Sequence, residues 1–302
     1  MAKSRIIIDC DPGVDDAIAL LLAFASPDEI EIVGITTVIG NVSLPLTTRN
    51  ALRITAMAGR QDIPVHAGCS RPIILPRVQR GASVHGTDGL GDLGISDATH
   101  EAESQHAVDF IIDTILREPG EITLCPIGPM TNIALALIKE PSIAEKIKAI
   151  VFMGGAAFTP GNTATDAEFN IWIDPHAAQV VLSSGIPMTM FGLDATRHAT
   201  LTKARFDQLE RDASPIMQTA IAIMRHYGSG DASLHDPCVT AFLIDPTLFR
   251  GVDAVIEVEC DQAGAYGRTR AVENGNGRPV HVITEVDDER LFQLIDQRLR
   301  LL

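Results

Sequence analysis

Short apolar runs and longer amphipathic segments alternate through the first two thirds of the chain. The β-branched run Arg5–Asp9 is too short for a helix and predicts a buried strand, and Glu31–Val38 shows the same pattern. The stretch from Asp15 to about Ser26 has helix length. The other elements predicted here are helices at 44–58, around 132–137 and at 175–184, and strands at 122–127, 149–153 and 187–191. This alternation predicts an α/β fold with an open, mostly parallel, Rossmann-like central sheet and helices on both faces.

The last third of the chain has a less regular pattern. Helices are predicted at 201–211, 215–227 and 287–299, and short strands, compatible with antiparallel pairing, at 255–260, 268–272 and 280–284. No linker, repeat or low-complexity segment interrupts the sequence, and the glycine-rich stretch His85–Gly91 is more typical of an active-site loop than of a domain boundary. We therefore expect residues 1–302 to form a single domain.

Composition and charge exclude several classes of protein. The chain is 46% hydrophobic and 21% charged, so it can bury a sizeable core. Its net charge of -15 repels polyanions, and we expect neither a nucleic-acid nor an anionic-membrane partner. The apolar run before Asp9 is too short for a signal peptide, and Ala17–Ala25 is shorter than the roughly 20 residues that span a bilayer. The five scattered cysteines show neither metal-binding spacing nor a disulfide framework, which favours a reducing, cytoplasmic location.

Four carboxylates separate the first predicted strand from the first predicted helix. Asp9 and Asp11 face the same side of an extended chain, and Asp15 and Asp16 lie in the first helical turn. Two like charges about 4 Å apart repel by about 4 kcal/mol at an effective dielectric of about 20, more than the roughly 0.3–1 kcal/mol that a helix terminus returns. Either some carboxyls are protonated or a hard cation, calcium or magnesium, lies among them. The plainer alternative is that Asp15 or Asp16 only caps the helix and Asp9 only ends the strand.

Six segments of the chain, in order, resemble the inosine–uridine nucleoside hydrolase family. The first, Asp9–Ala17, is similar to the family's signature Asp-Thr-Asp-Pro-Gly-x-Asp-Asp, with Cys10 in place of the threonine. The other five are residues 34–42, 84–91, 128–134, 161–162 with 167–171, and 235–237. Because the blocks keep the family order and span residues 5 to 246 or so, the resemblance covers most of the chain.

The resemblance implies hydrolysis of the N-glycosidic bond of ribonucleosides with water. It implies a calcium ion held by Asp11, Asp16, Asp236 and the backbone carbonyl of Ile127, with further positions for the attacking water and the ribose 2′ and 3′ hydroxyls. Asp11 would also accept the proton of the water. Family members are usually homotetramers and sometimes homodimers, and they serve nucleoside salvage or catabolism.

The resemblance also implies the groups that bind the substrate. Asp15 would accept a ribose hydroxyl hydrogen bond, Asn41 would hold the water and the 2′-hydroxyl, and Asp9 would orient the other carboxylates. The sugar hydroxyls, including the 5′ end, would be bound by Asn162, Glu168 and Asn170.

The leaving base calls for groups of a different kind. His235 is the candidate acid because histidine titrates near neutral pH. His85 would contact the base, and Tyr227 either stacks on it or belongs to the core. The two histidines favour a preference for uridine and cytidine, or for inosine and uridine, but purine specificity stays open.

Two other functions compete with this interpretation. Phosphatases of the haloacid dehalogenase type also place Asp-x-Asp after the first strand, but here Pro12-Gly13 and a second Asp pair follow, and basic residues do not cluster nearby. A nucleoside- or sugar-binding protein without turnover would keep the fold and the metal. The sequence argues against it because Asp11, Asn41 and His235 are all present.

Overall fold

Strands and helices alternate along the chain. The structure is a computed structural model that describes residues 3–75, 84–227, 233–261, 264–272, 275 and 277–302. The strands are β1 (Ser4–Cys10), β2 (Ile30–Thr37), β3 (Val65–Ala67), β4 (Ile122–Pro126), β5 (Ala149–Met153), β6 (Met188–Phe191), β7 (Phe249–Val258), β8 (Thr269–Val272) and β9 (Val280–Val286). The helices are α1 (Val14–Phe24), α2 (Leu44–Met57), α3 (Ala107–Arg117), α4 (Thr131–Lys139), α5 (Phe169–Ile173), α6 (Pro175–Leu182), α7 (Leu193–Thr196), α8 (Lys203–Leu209), α9 (Pro215–Tyr227), α10 (Pro237–Ile244) and α11 (Asp288–Leu299). Short 3₁₀ helices lie at Pro141–Lys146 and Pro246–Leu248.

The strands form one sheet in the order β3-β2-β1-β4-β5-β6-β9-β7-β8. The pairs from β3 to β9 are parallel, whereas β7 runs antiparallel to both β9 and β8. The predicted open, mostly parallel sheet is confirmed. Antiparallel pairing of the late strands is right for β7, but β9 pairs with β6 in parallel. In this order the connections change direction between β1 and β4, which leaves a crevice at the carboxyl ends of these two strands.

β1 is buried on both faces of the sheet. Ile6 and Ile8 belong to one apolar cluster together with α1, and Ile7 belongs to the cluster on the opposite face together with α3 and α4. Side chains of a strand alternate between faces, so a continuous apolar run is what a doubly covered strand requires. No helix in the described part of the chain is long and apolar enough to cross a membrane.

The strand predicted at 255–260 is longer than expected and begins at Phe249. Its first half, in which Phe249 is the one buried residue, pairs with β9 from Phe249 to Ala254, with a register shift between Arg250 and Gly251. The unpredicted half of the strand contains charged residues and a glycine, which interrupt the apolar pattern expected of a strand. It is identified as a strand by its pairing with β9.

Candidate active site

The candidate site begins where β1 ends. Asp9 lies near the end of β1, and Asp11, Pro12 and Gly13 form the turn into α1. Asp16 folds back on this turn, where its carboxylate accepts hydrogen bonds from the backbone N–H groups of Asp11 (3.1 Å) and Gly13 (2.9 Å). Asp16 therefore caps α1, and the same bonds keep its carboxylate at the crevice between β1 and β4.

Three buried carboxylates converge at this crevice. Asp15 and Asp16 come from the first turn of α1, and Asp236 directly precedes α10. One oxygen of each lies within 4.8 Å of the other two. A helix N-terminus stabilises a negative charge by only about 0.3–1 kcal/mol, so two such termini do not offset three carboxylates. Asp16 and Asp236 were predicted to bind the metal; Asp15, predicted to bind ribose, lies in the same group.

Asp11 is the most confined of the acidic side chains. It is fully buried, and Oδ2 accepts a hydrogen bond of 2.6 Å from the backbone N–H of Asn41. Oδ1 has no hydrogen-bond partner among the described residues. Gly40 and Gly128 lie against the two carboxylate oxygens so closely that a Cβ at either position would collide with them. Any residue larger than glycine at either position would therefore displace the Asp11 carboxylate.

Burial makes the charged form of these carboxyls costly. It raises the pKa of Asp9 and of Asp16 from 3.8 to about 7, and it raises the pKa of Asp11 and Asp236 well above their ordinary value. After burial, the charge of Asp16 contributes most for Asp11, and that of Asp15 for Asp16 and Asp236. An ion with oxygen preference would remove this cost, because the donors are oxygens and one of them is unsatisfied. The residues therefore fit a hard divalent cation.

Asn41 fixes the mutual position of two carboxylates. Its side-chain amide donates hydrogen bonds to the backbone carbonyl of Asp11 and to Oδ2 of Asp16, each 3.2 Å long. With the bond from its backbone N–H to Asp11, the residue contacts the turn at three points. The sequence placed Asn41 in the site through its Gly-Asn loop, and the structure brings it there from the segment that follows β2.

Asn132 is a site residue to which the sequence analysis assigned no role. Its side chain donates to Oδ1 of Asp9 (2.7 Å) and to the carbonyl of Thr37 (3.0 Å), and it accepts from the N–H of Cys69 (2.8 Å). The hydroxyl of Thr36 donates to the same Oδ1 of Asp9 at 2.6 Å. Asn132 thus connects the start of α4 to three places: the end of β1, the end of β2 and the segment after β3. It also fixes Asp9 next to the turn that carries Asp11.

Asn132→Ala is expected to lower the free energy of unfolding by about 2–4 kcal/mol. The substitution leaves the buried N–H of Cys69 and the carbonyl of Thr37 without their partner, at a cost of about 1–3 kcal/mol for each such group. Urea denaturation measures the change, and Asn162→Ala, at an exposed asparagine, is the control expected within about 0.5 kcal/mol of the parent. Equal stability of the two variants would show that Asn132 does not hold these strand ends together.

Three aromatic rings border the carboxylates. Nδ1 of His85 accepts a hydrogen bond of 3.2 Å from the N–H of Val14, the first residue of α1. The Tyr227 ring lies 5.7 Å from that of His85 and 6.3 Å from that of His235, the latter edge to face. The Tyr227 hydroxyl donates to Oδ2 of Asp15 at 3.2 Å. Of the two interpretations of Tyr227, the structure shows that its ring belongs to the core cluster of α1, from which its hydroxyl reaches Asp15.

His235 and Glu168 occupy the side of the crevice towards β5 and β6. Nδ1 of His235 lies 2.7 Å from the hydroxyl of Thr196. The Glu168 carboxylate accepts hydrogen bonds from the backbone N–H groups of Gly155, Asn170 and Ile171. Burial raises the pKa of Glu168, while those three bonds and the charge of His235 lower it. Glu168 therefore caps α5 and fixes the backbone after β5.

The remaining predicted residues differ in their placement. Asn170 is buried, and its side-chain amide donates to the carbonyls of Ile127 (3.0 Å) and Met153 (3.3 Å). A carbonyl oxygen has two lone pairs, so the carbonyl of Ile127 can accept this bond and still face an ion. Asn162 is exposed, in a turn where its backbone N–H donates to the carbonyl of Ala167 at 3.0 Å. It is the predicted site residue that the structure leaves on the surface.

Known proteins with related sequences align with this chain over almost the whole length of both. The family described as "Inosine-uridine preferring nucleoside hydrolase" matches residues 6–293. An uncharacterised protein of Schizosaccharomyces pombe is 42% identical over 307 residues, which cover 98% of each chain. The pyrimidine-specific ribonucleoside hydrolase RihB of Escherichia coli O157:H7 is 38% identical over 311 residues, which cover 99% of this chain and 98% of that one.

Solved structures agree with these relatives. The purine-preferring ribonucleoside hydrolase from Gardnerella vaginalis superposes with a TM-score of 0.91 at 34% identity, covering 98% of each chain. The fold and the acidic crevice are therefore those of an N-glycosyl hydrolase that acts on nucleosides. The chain belongs to the inosine–uridine preferring nucleoside hydrolase family. The resemblance seen in the six sequence blocks is confirmed, and the phosphatase alternative is wrong.

Proposed function

We propose that this chain hydrolyses ribonucleosides to free base and ribose at a calcium site formed by Asp11, Asp16, Asp236 and the carbonyl of Ile127. The observation that carries the proposal is the fully buried Asp11 carboxylate, whose Oδ1 has no hydrogen-bond partner in the described part of the chain. Calcium accepts about six to eight oxygen ligands in flexible geometry, enough for these groups, a water molecule and a cis-diol. When bound, it supplies a charge that lowers the pKa of a water molecule and attracts the ribose 2′ and 3′ oxygens.

The carboxylates of the chain activate the water and orient the sugar. Asp11 accepts the proton of the attacking water, because one oxygen of its carboxylate is unsatisfied and the other is held by the backbone N–H of Asn41. Asn41 hydrogen-bonds the water and the 2′-hydroxyl. Asp15 accepts a hydrogen bond from a ribose hydroxyl while Tyr227 donates to its other side. Asp9, held by Asn132 and Thr36, keeps the turn in place.

The far end of the ribose lies against α5 and the turn before it. Asn170 is buried next to the carbonyl of Ile127, which puts its amide close to the proposed ion site. Glu168 holds the first turn of α5 and keeps carboxylate lone pairs for the 5′-hydroxyl. Asn162 approaches the sugar from the exposed turn on the solvent side.

The leaving base takes its proton from His235. As the bond from C1′ to the base nitrogen breaks, its electron pair passes to the base, and a sugar cation of the oxocarbenium type develops. A general acid beside the base contributes roughly 10²–10⁴-fold to such a step. Tyr227 and His85 lie next to His235 in one aromatic wall that can contact the base.

The base preference proposed for this chain is for uridine and cytidine, or for inosine and uridine. It is supported by the pair His85 and His235, and by the pyrimidine-specific relative from Escherichia coli at 38% identity. The purine-preferring relative at 34% identity has the same fold, so the preference depends on the base pocket and not on the architecture.

Three further proposals complete the description. The chain acts in nucleoside salvage or catabolism in the cytoplasm, which the scattered and odd number of cysteines supports. It assembles as a homotetramer or homodimer, as the family does. Residues 1–302 form one domain, which is supported by a single sheet with strands from both ends of the described chain.

Release of reducing sugar from inosine, adenosine, uridine and cytidine tests the proposed function, with Asp11→Ala as the control. Activity that disappears in the control establishes the hydrolase, and the ranking of the four substrates gives the base preference. If none of the four releases ribose while one equivalent of calcium is bound, the proposed hydrolysis of these nucleosides is wrong, and the chain is a binding protein or acts on another ribosyl substrate.

His235→Ala is expected to lower kcat for uridine and inosine by about 10²–10³-fold and for p-nitrophenyl riboside by less than tenfold. The nitrophenolate leaves without a proton, whereas a nucleobase needs the acid. Steady-state kinetics on the three substrates measures the difference. An equal loss on all of them would remove His235 from the acid role.

A further inference from the structure

One short segment holds the surroundings of His235. α7 follows β6, and Thr196, its last residue, is fully buried. The Thr196 hydroxyl lies 2.7 Å from Nδ1 of His235. Just beyond α7, the carbonyl of Ala199 accepts a hydrogen bond of 2.9 Å from the N–H of Leu234, the residue before His235. Both the ring and the backbone of the histidine are therefore fixed to one element.

The same segment holds the loop on the sugar side. The Asp194 carboxylate accepts hydrogen bonds from the N–H groups of Ala157 (2.8 Å) and Phe158 (2.7 Å). The Arg197 guanidinium donates to the hydroxyl of Thr159 (3.1 Å) and the carbonyl of Gly161 (2.9 Å). Residues 194–197 thus connect the loop after β5, which leads to Glu168, with the histidine proposed as the acid.

The contact with Thr196 decides which nitrogen of the His235 ring carries the transferable proton. A charged imidazolium has an N–H at both positions, and a neutral ring keeps only one. Opposite the imidazolium the Thr196 hydroxyl accepts a hydrogen bond from Nδ1–H, and it keeps this bond when the neutral ring retains the Nδ1 proton. The proton that leaves is then the one on Nε2, on the side of the ring away from Thr196. In catalytic histidines generally, the hydrogen bond made by one ring nitrogen sets the orientation of the ring and the proton position on the other nitrogen.

We infer that Thr196 is a positioning residue that orients the His235 ring towards the leaving base through its contact with Nδ1. The inference rests on the proposed acid role of His235. In the step, the Nε2–H bond breaks, the proton joins the base nitrogen that receives the electron pair from C1′, and Nδ1–H stays with Thr196.

Two substitutions at position 196 separate positioning from packing. Thr196→Val keeps the shape of the side chain and removes the hydroxyl, and Thr196→Ser keeps the hydroxyl. The matched control is Thr55→Val: Thr55 is also fully buried, and its hydroxyl lies 3.0 Å from Nε2 of His100, outside the site. All variants are measured as full-length, calcium-loaded protein, with thermal melting to verify the fold.

Thr196→Val is expected to lower kcat for uridine or inosine about 10–100-fold with little change in KM, as for a partly lost general acid. The rate with p-nitrophenyl riboside should change less than threefold. Thr196→Ser should recover most of the lost rate, and Thr55→Val should retain the parental kcat. Thr196→Val added to His235→Ala should cost nothing more, because the two residues act as one unit.

Each contrary result has a separate meaning. If His235→Ala discriminates between the substrates and Thr196→Val does not, the inference is wrong and the proposed function stands. If Thr196→Val slows both kinds of substrate equally, or is as slow as Thr196→Ser, the residue acts through packing alone. If His235→Ala itself fails to discriminate, the acid role in the proposed function is what fails.

Discussion

Asp11→Ala is expected to lower kcat by at least a thousandfold, while the chain still folds. A factor of a thousand corresponds to about 4 kcal/mol of transition-state stabilisation. The loss is this large because one carboxylate is proposed both to hold the ion and to accept the proton of the water. Gly40 and Gly128 lie on its two oxygens, and Asn41 donates to one of them.

The stability of the variants provides an independent check. Burial and the charge of Asp16 raise the pKa of Asp11 well above its ordinary value, so its charged form destabilises the metal-free fold. Asp11→Asn keeps the size of the side chain and removes the charge. We therefore expect the metal-free melting temperature of Asp11→Asn to equal or exceed that of the parent above pH 7.

Asp28→Ala is the matched control, because Asp28 is an exposed carboxylate in the turn between the end of α1 and β2. It should keep the parental kcat, calcium content and melting temperature. Turnover by Asp11→Ala within tenfold of the parent would contradict the proposed base. A metal-free Asp11→Asn that melts well below the parent would contradict the account of the buried charge.

Much of the sheet could be predicted because strands such as β1 and β4 are short apolar runs that are buried along most of their length. Ile6, Ile7 and Ile8 serve two cores at once, so their apolar continuity is dictated by the architecture. α3 was not predicted, although Val108, Ile111, Ile112 and Ile115 repeat with helical spacing and are buried. α10 is apolar almost all round, and a helix of that kind has no periodicity that separates it from a buried strand.

The aspartates of the site could be predicted from the sequence, whereas the uncharged residues that hydrogen-bond to site residues could not. Four aspartates in one turn are improbable without a cation, so the sequence alone indicates their chemistry. Asn132 and Thr196 make ordinary hydrogen bonds to partners more than 30 residues away, and only the folded chain shows that those partners are Asp9 and His235. The opposite case is Asn162, which the family resemblance assigned to the sugar and which is exposed in the structure.

Removal of calcium is expected to abolish hydrolysis and to destabilise the fold, by an amount that increases from pH 5 to pH 8. Burial raises the pKa of Asp9 and of Asp16 from 3.8 to about 7 in the metal-free protein. Because the folded pKa exceeds the unfolded one, the metal-free folded state holds more protons than the unfolded chain between about pH 4 and 7. The contribution of these raised pKa values to the stability of the metal-free fold is complete below about pH 4, and it is lost as the pH rises through 7.

Calcium reverses this dependence because it binds the deprotonated carboxylates. Its affinity should rise with pH over the same window, with protons released as the ion binds. Calcium at about 100 times its Kd adds about 2.7 kcal/mol, which corresponds to about 5–10 °C in melting temperature. The difference between loaded and chelated protein should therefore be small at pH 5 and reach this size at pH 8.

Calorimetric titration of calcium in two buffers of different ionisation enthalpy counts the protons released, and thermal melting with and without chelator measures the shift. Asp16→Asn is the informative variant, because it removes one of the two carboxyls with a pKa of about 7 and should reduce both the proton release and the slope with pH. Asp28→Ala should change neither quantity. A melting difference that is independent of pH, or calcium binding without proton release at pH 6, would mean that the crevice carboxylates are already ionised in the metal-free fold. The buried charge of Asp11 would then be balanced by the protein itself, and the argument that the cluster requires a cation would no longer hold.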